Sequence, residues 1–84
     1  MKRNILVNEI VTFCFTNEIF HKTIKVSEIK NRVRICLDEI DFIESLINTI
    51  IIKTRISKNI DIEKAKELLV ELEKIRLELE YKDY

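Results

Sequence analysis

Neither glycine nor proline occurs anywhere in the 84 residues. That removes the commonest turn formers, the glycine helix stop and the proline helix breaker together. Long helices joined by few connections suit such a chain best, and any residue with positive φ falls to asparagine. The lack of glycine also excludes GxGxxG and Walker-type phosphate loops, whose backbone approaches the ligand where a Cβ would stand. Tryptophan is absent and histidine occurs once, at His21. Long apolar runs are missing as well. The longest, Leu46 to Ile52, is broken by Asn48 and Thr49 and closed by Lys53, far short of the ~20 residues needed to cross a bilayer. Near the N-terminus, Asn8 and Glu9 interrupt Ile5-Leu6-Val7 before it becomes a signal-peptide core. The expectation is a soluble cytoplasmic protein without a membrane partner.

Cysteine is scarce too. Cys14 and Cys36 sit among apolar neighbours, which predicts free thiols in a core. A Cys14–Cys36 disulfide is the alternative if the first two helices pack together. A chain of this length buries only a little over about 60% of its unfolded surface, so its stability margin is thin. Self-association is one remedy. One domain, residues 1–84, is all the length supports.

What is present is a pattern. Val26, Ile29, Val33, Cys36, Ile40, Ile43, Ile47, Ile50 and Thr54 alternate in steps of three and four. Such a series predicts one long helix, over about 28–56, packed lengthwise on other helices. Ser27 is its expected N-cap, with Glu28 in the first turn. Ile35, Leu37, Phe42, Leu46, Ile51 and Ile52 lie off that seam, so the helix must bury more than one face. Before it, Leu6, Ile10, Phe13, Asn17 and Phe20, flanked by Val7, Val11 and Cys14, read as a helix over 4–21 despite the strand-forming run 11–16. A lone strand there would leave its backbone unpaired. After the long helix, Asn59 stands as a left-handed cap and Asp61 as an N-cap, opening a helix over 61–81. Its seam is Ala65, Leu68, Leu72, Ile75 and Leu79, with Val70 and Leu77 forming a second row. The connection at 21–25 and the tail 82–84 complete the chain. The expected fold is all-α: a three-helix antiparallel bundle with a short first helix and a long helical hairpin, self-associating through its unused apolar rows.

Candidate chemistry is sparse. Cys14 and His21, seven apart on one helix, would stand about 10 Å apart along its axis, too far for one metal ion. Asp38, Asp41 and Glu44 would line one side of the long helix, but a di-metal bundle site also needs a Glu-x-x-His motif. No catalytic residue, cofactor, metal or small-molecule substrate is expected, and the chain reads as a non-enzyme.

Two binding surfaces remain. The first is apolar: Ile51, Ile52, Val70 and Leu77, offered to a second copy of the chain or to another protein, as in an adaptor, inhibitor or accessory subunit. The second is basic. Formal charge is zero overall, yet residues 1–34 carry seven basic and three acidic side chains, and 61–84 carry five basic and eight acidic. Lys25, Lys30, Arg32 and Arg34, beside Lys22, could meet phosphates in a helix-turn-helix-like segment over 22–34, the reading of a small nucleic-acid-binding regulator. Against it, the presumed recognition helix continues as a seam that must be buried.

Overall fold

The computed structural model describes residues 1–19 and 25–82. Within them the backbone forms four helices and no strand: α1 Arg3–Thr16, α2 Val26–Cys36, α3 Ile40–Ile56 and α4 Ile62–Lys82. The all-α expectation holds, but the count of three helices does not. Phe20, His21, Lys22 and Ile24, with most of the first connection, and the tail residues Asp83 and Tyr84 lie outside the described residues.

The expected long helix over 28–56 is two helices. Leu37 and Asp38 turn the chain after α2, and Glu39 is extended at φ −109°, ψ 120° before α3 begins. Asp38 N–H donates to Ile35 O and Glu39 N–H to Cys36 O, both i→i−3 bonds that tighten the end of α2. The cause lies in Leu37 and Ile43, both fully buried. Six residues apart on one straight helix, they would point about 120° away from each other. Breaking the rod lets both reach one core. It also folds back a helix of some 40 Å that the 14-residue α1 could not have covered. The buried sets are Ile29, Val33 and Leu37, then Ile43, Leu46 and Ile50, so Leu37 and Leu46 from beside the expected seam go inside while Cys36 and Ile47 of the seam are only half-buried.

α1 packs on α2 and on α4, while α3 packs on α4. Arg3, at the start of α1, meets Asp38 just past the end of α2 at 3.3 Å, so these two helices run antiparallel. Along α1 and α4, the Met1 amino group lies 3.6 Å from Glu71 and Glu9 lies 2.9 Å from Lys64 Nζ, which is antiparallel again. The expected hairpin of the second and third helices persists as α3–α4. The core runs through all four helices, from Leu6, Ile10 and Cys14 to Val33, Ile50, Leu68 and Leu72.

The helix ends depart from expectation in instructive ways. α1 stops at Thr16 rather than 21, because Ile19 N–H returns to Cys14 O and Glu18 N–H to Phe15 O. That is a Schellman closure. Its left-handed residue is Glu18, φ 56°, where glycine would sit without steric cost. Asn59, the expected left-handed cap, does not have positive φ; Ile60 beside it is buried and closes the α3–α4 connection. Ser27 does not cap α2, which begins one residue earlier with Lys25 at the cap position and no side-chain cap bond. Asp61 does cap α4: its Oδ1 accepts from Lys64 N–H at 3.0 Å.

Candidate docking groove

α3 turns Ile43, Leu46 and Ile50 into the core, and α4 turns in Ala65, Leu68, Leu72 and Ile75. Next to these buried stripes, Ile47 and Ile51 on α3 and Leu69, Val70 and Leu77 on α4 border a groove of about 460 Å³. Its walls are almost wholly apolar, and only Glu73 and Lys74 bring charge to its rim. The groove exists because each helix carries an apolar arc wider than its neighbour covers. Val70 is 56% exposed and Leu77 41%. Tyr81, one turn beyond Leu77, continues that row and is 75% exposed.

The rim charges are satisfied along α4. Arg76 donates to Glu73 through Nε at 3.1 Å and to Glu80 through Nη1 at 2.8 Å, and its Nη2 also meets Glu73. The Arg76 guanidinium holds the Glu73 carboxyl below the usual glutamate range, and Glu73 in turn raises Arg76. Lys74 lies 3.5 Å from Glu71. Across the helix pair, Lys64 is raised chiefly by its hydrogen bond with Glu9. These contacts lie at the surface, where ion pairs stabilise little.

Three of the four apolar residues singled out from sequence, Ile51, Val70 and Leu77, therefore meet in one groove. Ile52 does not. It stands about 180° from Ile43 around α3, on the outward face, with Ile56 one turn on. Sequence reasoning overlooked Ile47 and Leu69 as groove walls. Ile47 fell within the three-four seam and read as core, yet it is only half-buried.

The basic residues are divided. Around α2, Lys25 and Arg32 flank one side of the buried pair Ile29 and Val33, and Lys30 and Arg34 lie on the other. The four share no face. The three-residue turn at 37–39 does join two helices, but the front of its second helix presents Asp38, Glu39, Asp41 and Glu44, which repel phosphate.

Asp38, Asp41 and Glu44 do not line one helix side, since Asp38 stands outside α3 and pairs with Arg3. Cys14 and Cys36 are free thiols. Burial pushes the Cys14 thiol up to about 12, which makes it a poor nucleophile at neutral pH. Cys36 is half-buried rather than core. No group of three potential metal ligands occurs among the described residues, and no helix among them is long and apolar enough to cross a membrane.

The fold and the groove define a four-helix all-α chain with an uncovered apolar channel between its last two helices. It matches no protein-family model, no curated protein and no solved structure.

Proposed function

We propose that the chain is a small protein–protein interaction module that self-associates, and that the α3–α4 groove is its docking surface. The observation that supports this is the gathering of Ile51, Val70 and Leu77 into one apolar channel with charge only at its rim. An apolar channel of this shape suits an amphipathic helix, whose seating would remove carbon surface from water. The lining is apolar apart from Glu73 and Lys74 at the rim, which supports reading the groove as a docking surface for another polypeptide. Adaptor, inhibitor and accessory subunit are all roles such a module fills.

The experiment is solution mass across a wide concentration range for the wild type and for Val70→Lys/Leu77→Lys. Both positions are exposed in α4, and circular dichroism checks that the helices persist. The wild type is expected to gain mass above 10.1 kDa as concentration rises, while the variant stays there. A wild type that never leaves 10.1 kDa, or a variant that associates equally well, overturns the reading.

A further inference from the structure

Apart from the groove, α3 ends in an uncovered apolar face of its own. Ile52 and Ile56 stand about 40° from each other on the outward side of the helix, Ile56 being 69% exposed. Arg55 lies about 60° to one side of this pair and Lys53 about 60° to the other. Lys58 follows just past the helix, and no acidic residue occurs between Ser45 and Ile60. Lys53, Arg55 and Lys58 pair with no carboxylate among the described residues. The same end of the α3–α4 hairpin also exposes Ile62, with Lys66 one turn further along α4. Two carboxylates are nearby in the chain. Asp61 caps α4 by accepting from Lys64 N–H, and Glu63 lies about 100° from Ile62 around α4. Leaving out Lys64, which Glu9 and Glu67 hold, residues 45–66 carry Lys53, Arg55, Lys58 and Lys66 against Asp61 and Glu63.

We infer that this end of α3 docks on an anionic lipid surface, Ile52 and Ile56 entering below the headgroups while Lys53, Arg55 and Lys58 stay among the phosphates. Exposed apolar side chains held between cations match such a surface in both respects. Cations at a helix C-terminus also answer the helix dipole, but the dipole gives no reason for isoleucine between them. A nucleic acid would answer the cations and leave both isoleucines against its polar backbone. Two copies of this end meeting face to face would place cation against cation. The exposed row of α4 is of mixed charge, with Lys66 and Lys74 among its glutamates, and offers no surplus of carboxylate to draw the α3 end in a second copy. Surface docking needs no spanning helix, so the expectation of no membrane partner, drawn from the shortness of the apolar runs, does not bear on it. The inference is independent of the groove.

The test is co-sedimentation with vesicles of phosphatidylcholine and phosphatidylserine in a two-to-one mixture, set against vesicles of phosphatidylcholine alone. Low protein concentration keeps self-association out of the comparison, and circular dichroism verifies that each variant folds. The wild type is expected to partition onto the mixed vesicles on the order of tenfold more strongly, with the difference shrinking as salt is added. Arg55→Gln/Lys58→Gln should lose about tenfold in partitioning onto the mixed vesicles. Ile52→Ser/Ile56→Ser keeps every charge and should lose about tenfold as well, because the inserted carbon is gone. Val70→Ser/Leu77→Ser, on the groove, should stay within about twofold of the wild type. A wild type that sediments with neither vesicle, or equally with both, overturns the inference. So does an Ile52→Ser/Ile56→Ser variant that binds like the wild type, or a Val70→Ser/Leu77→Ser variant that loses as much. Retention on duplex DNA that Arg55→Gln/Lys58→Gln abolishes, without vesicle binding, would put nucleic acid in place of lipid and overturn it too.

Discussion

α1 and α4 make opposite use of their apolar residues. α1 has two charged side chains in 14 residues, Arg3 and Glu9, and buries Leu6, Val7, Ile10, Val11, Phe13 and Cys14. α4 has eleven charged side chains in 21 residues and leaves Val70, Leu77 and Tyr81 outside. The first helix contains Val7, Val11, Thr12, Phe13, Phe15 and Thr16, which favour strands. It is helical because burial on α2 and α4 rewards a helix there. The second is built from leucine, glutamate, lysine and arginine, with a side-chain cap and ion pairs three and four residues apart. Its helicity is local, and its surplus apolar row is left exposed. One helix turns its apolar residues into the core, and the other leaves a row of them uncovered.

The sharpest way to break this contrast is truncation at matched positions. Ile10→Ala, in the fully buried stripe of α1, should cost about 2–5 kcal/mol. Val70→Ala on α4 should change stability by less than about 0.5 kcal/mol, because a surface position leaves no cavity. Urea unfolding of both variants under conditions that hold the wild type monomeric measures the difference. Equal losses would mean that Val70 is as much a core residue as Ile10.

A smaller effect probes the local support of α4. Asp61→Ala removes the oxygen that accepts from Lys64 N–H and should cost about 1 kcal/mol, with the loss visible in urea unfolding. α1 has no equivalent bond, since Lys2 at its cap position makes none. No loss in Asp61→Ala would remove this part of the distinction.

The smallest effect is a pH dependence confined to α4. The Glu73 carboxyl is held below its ordinary value of 4.5 by Arg76. A carboxyl lowered on folding adds stability that is present above the ordinary value and lost as pH falls through the lowered one. Glu73→Gln should therefore melt slightly below the wild type at pH 7, and the gap should close at an acid pH below the lowered value. Thermal melts at the two pH values check it; a gap that persists in acid would show that the Glu73 charge contributes nothing.

The missing glycine and proline, the three-four periodicity and the strong helix formers were sufficient to specify an all-helical chain. The Asp61 cap and the second row of α4 were legible for the same reason: both depend on neighbours a few residues away. The break at Leu37–Glu39 was not, because the three-four series runs through it without interruption and its phase matters only against a third element. Leu37 is buried because α1 is there to cover it. Glu18 likewise takes the left-handed position because Ile19 folds back on α1, a closure no local residue preference announces. Ile51 and Ile52 are adjacent in sequence, yet one walls the groove and the other faces away, since a helix turns about 100° per residue. Local chemistry decided that this protein is made of helices and where its last one starts. Tertiary packing decided where the rod bends and which isoleucines remain uncovered, because burial is a property of several segments at once.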